Sequence, residues 1–518
     1  MSEGVKGKHQ VRYWQKRSFR HLPEMRAAKA AGLFPKKEGW RNVVEHEIVE
    51  AEACDILAEA ISLPQAERRQ VKDAAALHDV FKRKEKELME RLGPEGYTVG
   101  QEEEGIFLKE RGYGQEIIKL AHSVGHGSLL EMVEDPNDAE LKVKDDIDLP
   151  TLIIHYVDDI TLNNDIVPLN IRIDYLEANP RYQETNEQGR KVFAGRTYFE
   201  VQREVSRKIE AKLASMLGIE PAEKLPDWIK GKILERIEQE KITQICIEAA
   251  KEAFRVHQEL GEKGKEETTT NQFGERTLLG DWECEEAVIR VLKKHKLKVR
   301  LISEEHGDVV IGEGDPKYLA VLDGIDGSFQ YKAEESSDRR YGTMFAIFDN
   351  TDPKYKDAIS SFIMEHPTER LYFAQRGQGA YVIEGEKKKS IKTSNVKNLD
   401  SGVRLFVDEG YEYNKSTFST KLQDYKPRCT FASSRYYADV ASGHADVVCE
   451  CTRKGNLELA TAYLLVTGAG GAMITEDGED LGTQDYLIYG QGKDEYKGII
   501  SAATRKLAED VRQLIKVS

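Results

Sequence analysis

The chain has 518 residues, of which 40% are hydrophobic and 32% charged, and its formal net charge is −15 at neutral pH. That length is more than one hydrophobic core serves, so two or more domains are expected. The acidic balance argues against broad nucleic-acid binding, and no apolar run reaches the length of a membrane span or a signal core. The six cysteines are scattered, and the one close pair, Cys449-x-Cys451, suits neither a zinc knuckle nor a C-x-x-C redox site. Reduced thiols and a cytoplasmic location are the expectation.

In chain order, the first segment is basic. Residues 1–41 carry eleven Lys/Arg against three Asp/Glu, including Lys16, Arg17 and Arg20. We read residues 1–39 as a solvated, partly ordered segment, with an arm for RNA or an acidic partner as the alternative. Residues 40–217 read as helical, because apolar residues recur at helical spacing over 43–63, 72–89 and 203–217. Within this half His46 lies on an amphipathic helix. His78-Asp79 follows the run Ala74-Ala75-Ala76-Leu77, and Asp158 closes an aliphatic run at 151–157. One histidine on a helix means little; the ordered set H…HD…D is more specific. Imidazoles and carboxylates projecting from separate helices into one pocket suit a transition metal or a magnesium or manganese ion.

Gly218, Pro221 and Pro226 interrupt the helical pattern and predict a linker over 218–227. Residues 228–260 read as one or two long amphipathic helices. Short β runs then alternate with helices, at 299–302, 319–322, 343–348, 359–363 and 371–375. The expectation is an all-α half followed by an α/β half.

Residues 318–328, Y-L-A-V-L-D-G-I-D-G-S, end a β run in two aspartates, each followed by glycine, with a serine hydroxyl next. An acidic pair, Glu304-Glu305, ends the preceding run. Strands that release carboxylates at their C-terminal ends are how α/β enzymes build ligand sites. Hard oxygen ligands converging there repel each other unless a divalent cation sits between them, and magnesium is the natural occupant.

These residues resemble the inositol monophosphatase superfamily, which includes fructose-1,6-bisphosphatases and nucleotide 3'-phosphatases, over residues 228–518. Its acidic pair matches Ser303-Glu304-Glu305, and its D-x-x-D-G-[ST] signature matches Asp323 to Ser328. Its G-x-G-A turn matches Gly377 to Ala380, and its late acid before a helix ending in A-G-G matches Glu458 with Ala469-Gly470-Gly471. Its D-x-x-x-E helix start matches Asp281 and Glu285. The resemblance implies a layered α/β sandwich of the inositol monophosphatase/fructose-1,6-bisphosphatase type and a magnesium-dependent phosphomonoesterase. Glu304, Asp323, the Ile325 carbonyl, Asp326 and Glu458 would hold the metal, and Asp323 would bridge two ions. Glu304 and Ser328 would orient the attacking water, with Asp281 a further catalytic candidate. Gly327 and Ser328 would open a helix whose free N–H groups receive phosphate. Ser434, Arg435, Glu450 and Lys454, with Ser433 and Arg453 beside them, mark the substrate region. Three departures stand out: Gly324 where proline is usual, Glu458 where aspartate is common, and an insertion over 330–340.

The first half is similar to the HD-domain phosphohydrolases over residues 40–200. His46, His78, Asp79 and Asp158 match the metal ligands, and Lys82 completes the common HD-x-x-K form as a catalytic candidate. Asp159 is the register alternative to Asp158. His122 and His126 fall where some members add ligands. The resemblance implies a divalent metal such as Mn²⁺, Fe²⁺ or Mg²⁺ and a second phosphohydrolase, or else a nucleotide-sensing or structural module. The expected whole is a multidomain protein, an all-α HD domain joined to the sandwich, acting on a small phosphorylated metabolite. It needs no membrane or nucleic acid, and a homodimer is compatible with the sequence.

Overall fold

The structure, a computed structural model, describes residues 23–33, 41–93, 95–124, 128–138, 140–274, 276–333, 340–429, 432–491 and 496–517. Most of the basic segment, His126, and positions 334–339 of the insertion lie outside the described residues. The chain divides into two compact units, Met1–Ile237 and Glu238–Ser518. No helix among the described residues is long and apolar enough to cross a membrane.

The first unit is helical. Its described helices are α1 (Pro23–Ala30), α2 (Arg41–Ala60), α3 (Gln65–Ala75), α4 (Lys82–Leu92), α5 (Glu95–Glu110), α6 (Gln115–His122) and α7 (Ser128–Met132). After them come α8 (Leu149–Ile160), the short pair β1 (Thr161–Leu162) and β2 (Asp165–Ile166), α9 (Leu169–Glu177), α10 (Gln183–Val192) and α11 (Tyr198–Leu217). The ends follow from local chemistry. Asp148 caps α8 by accepting from the Thr151 N–H. Thr197 and Glu200 form a capping box at the start of α11, and Gly218 ends it in the left-handed conformation. The predicted helix over 72–89 is two helices, α3 and α4, and His78 and Asp79 sit in the turn between them.

The predicted linker is a turn inside this unit. Leu225, Ile229 and Ile233, on α12 (Leu225–Leu260), bury themselves in the helical core. The unit boundary falls at Ile237/Glu238, further along the same helix. Breakers mark where a helix stops, and only burial decides which core the next helix joins.

The second unit is layered. After β3 (Glu267–Thr270), β4 (Arg276–Leu278) and α13 (Leu279–Lys294) come the strands of the main sheet: β5 (Val299–Ser303), β6 (Gly307–Ile311) and β7 (Tyr318–Asp326). The short helix α14 (Ser328–Lys332) precedes β8 (Gly342–Phe348), β9 (Ala358–Glu365), β10 (Arg370–Gln375), β11 (Gly379–Glu384) and β12 (Lys387–Ile391). The sheet order is β12-β11-β10-β9-β8-β7-β5-β6, with β5 and β7 parallel. All five predicted β runs are strands of this sheet.

A second sheet follows, from β13 (Leu405–Val407), β14 (Arg428–Cys429), β15 (Val447–Cys451), β16 (Ala472–Thr475) and β17 (Gly498–Ala502). Its order is β14-β13-β15-β17-β16. The helices α15 (Ser433–Ala441) and α16 (Leu457–Gly468) precede β15 and β16, and α17 (Arg505–Val517) ends the unit.

Side-chain alternation builds the layers. Leu319 and Val321 of β7 join Met344, Ala346 and Phe348 of β8 in a core shared with α15 and α16. Ala320 and Leu322 join Phe345 and Ile347 on the opposite face, packed against α12 and α13. A third core lies between the second sheet and α17. The unit is an α-β-α-β-α sandwich, as expected.

Candidate metal centres

In the sandwich, β5 and β7 are parallel, so their C-terminal ends deliver Glu304 and Asp323 to the same edge; the Glu304 N–H donates to the Leu322 carbonyl, 3.0 Å away. In a regular strand Asp323 and Asp326, an odd number of residues apart, face opposite sides of the sheet. The β7/β8 register shifts between Asp323 and Asp326, and a bulge of this kind puts both carboxylates on one side. Glu458, in the first turn of α16, joins them. Oxygens of Asp323, Asp326 and Glu458 all lie within 4.8 Å of one another.

The electrostatics of this trio are those of a cation site. Asp323 Oδ1 is buried with no hydrogen-bond partner among the described residues. Burial and then the charge of Glu304 push the Asp323 carboxyl well above its ordinary value. Burial and Glu458 push Asp326 up to about 6, although the Ser434 N–H donates to it at 2.7 Å. Glu304 and Asp281 are likewise raised by burial and by neighbouring carboxylates. Glu304 faces Asp323 without joining the tight trio. Arg453, 3.2 Å from Glu458, offsets only part of this charge, and the residues fit a divalent cation.

The supporting shell is explicit. Glu285, fully buried on α13, accepts from the N–H groups of Glu304, Glu305 and His306 at 3.1 to 3.3 Å. It also accepts from the Ser303 hydroxyl and lies 2.9 Å from His306 Nδ1, whose ring stacks on Trp282. The Ser328 hydroxyl donates to the Ile325 carbonyl at 3.0 Å and reaches Asp281 at 3.4 Å. Gly327, at φ +89°, turns the chain into α14.

Gly324 has a reason the sequence did not give. A Cβ there would drive into the Asp281 carbonyl oxygen. Gly324→Ala should therefore destabilise the protein by about 2–3 kcal/mol, and an unchanged urea midpoint would contradict this.

In the substrate region Arg435 lies 3.9 Å from Asp439. The Ser434 N–H is committed to Asp326 rather than free for substrate. Glu450 is buried, accepts from the Tyr436 and Tyr437 hydroxyls, and pairs with Arg453 at 2.8 Å. Arg453 also reaches Asp408 at 2.7 Å and Glu458 at 3.2 Å. Glu450 is thus part of a polar floor beneath the trio, not an open contact. The Lys454 side chain lies outside the description.

The raised carboxyls make stability depend on metal and pH. Asp326 moves from an ordinary 3.8 to about 6. Folding therefore takes up a proton between those values, and the metal-free protein loses stability as pH rises through them, by about 3 kcal/mol from this group. With chelator present, the melting temperature should be lower at pH 8 than at pH 5.5. Added Mg²⁺ should raise it more at pH 8, and Asp326→Asn should shrink the difference. An equal Mg²⁺ increment at both pH values would refute the linkage.

The helical unit has its own centre. His46 and Glu50, one turn apart on α2, face His78 and Asp158, and their ligand atoms lie within 4.8 Å of one another. His46 Nε2 is 2.9 Å from Glu50 and 3.3 Å from Asp158. His78 Nδ1–H donates to the Ala75 carbonyl at 2.9 Å, which leaves Nε2 facing Glu50 at 3.1 Å. Burial lowers the His46 imidazole while Glu50 and Asp158 raise it, to about 10. A protonated imidazole here stands where a cation would be welcome.

Asp158, not Asp159, belongs to this group. Asp159 turns away to accept from Gln202 and Ser206. Asp79 is outside the tight group and pairs with Lys82 at 3.1 Å. Glu50 was missed; its signal was the i, i+4 spacing from His46. His122 bonds Glu104 at 3.1 Å.

The family model of the inositol monophosphatase family matches residues 236–513. A bifunctional NADP phosphatase/NAD kinase of Methanococcus maripaludis is 29% identical over 192 residues, 35% of this chain and 34% of that protein. A fructose-1,6-bisphosphatase/inositol-1-monophosphatase of Methanothermobacter thermautotrophicus is 26% identical over 252 residues, 47% of this chain and 85% of that protein. The chain thus spans about a third of the first relative's length. Among solved structures, the extragenic suppressor protein suhB from Bartonella henselae aligns with a TM-score of 0.42 at 17% identity, covering 53% of this chain and 98% of that one.

Proposed function

The chain belongs to the inositol monophosphatase family through residues 236–513, and from this we infer that its second unit is a magnesium-dependent phosphomonoesterase acting on a sugar, inositol or nucleotide phosphate. The observation that carries this reading is the bulge of β7, which turns Asp323 and Asp326 to the same side beside Glu458. Asp323, Asp326, Glu458, Glu304 and the Ile325 carbonyl would hold magnesium, which would polarise the phosphoryl group and lower the pKa of a bound water. The remaining work falls to the chain. Glu304 and the Ser328 hydroxyl would orient the water, and Asp281 holds that hydroxyl. The N–H groups opening α14 after Gly327 would receive phosphate oxygens. The names of the two relatives support sugar, inositol and dinucleotide phosphates as the classes to try.

For the helical unit we infer a second metal-dependent phosphohydrolase of the HD type, supported by the grouping of His46, Glu50, His78 and Asp158. The test is phosphate release from inositol 1-phosphate, fructose 1,6-bisphosphate, NADP and a nucleotide panel, with Mg²⁺ or Mn²⁺. Wild type, Asp326→Ala and His46→Ala are run in parallel. Different substrates lost by the two variants would establish two active sites. Loss of all release in Asp326→Ala alone would make the helical unit a sensing or structural module. Full activity of Asp326→Ala would end the phosphatase assignment of these residues.

A further inference from the structure

We propose that Thr343, oriented by His366, is a positioning residue of the metal centre: its hydroxyl holds the Gly324 peptide in the bulge that turns Asp323 and Asp326 to one side of the sheet. This rests on reading Asp323, Asp326 and Glu458 as a magnesium site.

β7 and β8 pair Asp323 with Met344 and Asp326 with Gly342, so Thr343 alone stands opposite two residues, Gly324 and Ile325. A bulge of this kind disrupts the ladder and leaves its extra residue without a regular partner. The local sequence does not stiffen it, because glycine stands where the ring of a proline would fix φ. Nor is there room for that ring, since a Cβ at Gly324 meets the Asp281 carbonyl oxygen. The constraint has to come from across the sheet.

The residue opposite supplies it. Thr343 is fully buried, and its hydroxyl donates to the Gly324 carbonyl at 2.7 Å. The next carbonyl, that of Ile325, accepts from the Ser328 hydroxyl at 3.0 Å. Two successive peptide groups of the metal loop are thus anchored by two hydroxyls, and each plane limits how its neighbour can turn.

A hydroxyl rotates and has one proton to give, so its direction depends on a second partner. His366 Nε2 lies 3.0 Å from Thr343 Oγ1. With the hydroxyl proton committed to Gly324, the imidazole donates through Nε2–H. The other tautomer would take that proton from the Gly324 carbonyl and leave an Nδ1–H buried without an acceptor among the described residues. The ring is itself held. His366 is 1% exposed, its N–H donates to the Tyr341 carbonyl at 3.1 Å, and its ring stacks on His257 at 4.1 Å and on Phe254 at 6.0 Å. Burial and then His257 keep the imidazole well below its ordinary pKa, so it stays neutral. The line from His366 through Thr343 to Gly324 ends one residue from both Asp323 and Ile325 and acts through the loop, not on the phosphoryl group.

The experiment measures Mn²⁺ binding by equilibrium dialysis on the full chain carrying His46→Ala, to silence the helical centre. Thr343→Val, Thr343→Ser and His366→Leu are each added to it, and the binding counted is the part that Asp326→Asn removes. Thr343→Val keeps the shape without the hydroxyl and should weaken Mn²⁺ by about 10- to 100-fold. Thr343→Ser should bind as the parent does, and His366→Leu should fall between. In the chain with His46 intact, Thr343→Val should raise the Mg²⁺ concentration for half-maximal phosphate release by the same factor. The KM for the best ester of the panel above, at saturating Mg²⁺, should not change. Equal affinity in the valine variant and the parent overturns the proposal and keeps the magnesium site. A serine variant as weak as the valine one overturns it too, because the effect then lies in packing. A parent that binds no Mn²⁺ sensitive to Asp326→Asn overturns the magnesium reading and the proposal with it. Should Thr343→Val not fold, the comparison passes to His366→Leu, where unchanged affinity is the overturning result.

Discussion

Asp323→Asn is expected to lower phosphate release by at least about a thousandfold, roughly 4 kcal/mol of transition-state stabilisation, while raising the stability of the metal-free protein. Asparagine keeps the shape of the side chain and removes its charge. Asp323 is the buried residue of the trio whose Oδ1 has no hydrogen-bond partner among the described residues, which leaves that oxygen open to a cation. It also sits electrostatically between Glu304, Asp326 and Glu458, where a bridging ligand belongs. Removing its charge relieves repulsion among carboxylates that burial already disfavours. The two effects therefore have opposite signs, and that pairing separates a metal ligand from a merely structural aspartate. The measurements are kcat with saturating Mg²⁺ and melting temperature in chelator. A variant that kept a tenth of the activity, or melted lower without metal, would remove Asp323 from the centre of the site.

The sandwich was legible because its strands announce themselves. The runs at 299–302 and 319–322 are short, apolar and closed by acids, and both became parallel neighbours in the sheet. The order of the acidic motifs along the chain was therefore enough to point to the edge where Asp323, Asp326 and Glu458 gather. What the sequence hid was the bulge, since D-G-I-D shows two aspartates without saying whether they share a face. It hid the crowding at Gly324 for the same reason: the clash is with the Asp281 carbonyl, more than forty residues earlier in the chain.

In the helical unit the histidines and Asp158 were legible as a spaced set, and Asp159 was not separable from it. Only the Gln202 and Ser206 side chains on α11, which claim Asp159, decide the register. Acidic residues on a helix, such as Glu47 and Glu50, ordinarily read as a solvated face. Burial of α2 by its neighbours α3 and α8 reverses that reading, and burial is a property of packing, not of period. Asp79 was expected in the first metal group. It pairs with Lys82 at 3.1 Å instead and stays outside the tight group of His46, Glu50, His78 and Asp158.

Glu285→Ala should cost at least about 3 kcal/mol of stability and most of the phosphate release, although Glu285 need touch neither metal nor substrate. Its carboxylate is fully buried and is the common acceptor for three successive N–H groups, those of Glu304, Glu305 and His306, and for the Ser303 hydroxyl. Alanine takes the acceptor from the Glu305 N–H and the Ser303 hydroxyl, leaves the Glu304 and His306 N–H groups only their second acceptors, the Leu322 carbonyl and the Ser303 hydroxyl, and takes from His306 Nδ1 its partner at 2.9 Å. Glu304 then loses the loop geometry that holds its side chain toward Asp323. Glu285→Gln is the discriminating control, because it keeps the volume and one acceptor oxygen but sets an NH₂ group against the remaining donors. Stability and activity should fall together in the order wild type, Gln, Ala, and the Mg²⁺ concentration for half-maximal rate should rise in both variants. A stability loss with an unchanged Mg²⁺ requirement would show that Glu285 supports the fold alone and that Glu304 is held by something else.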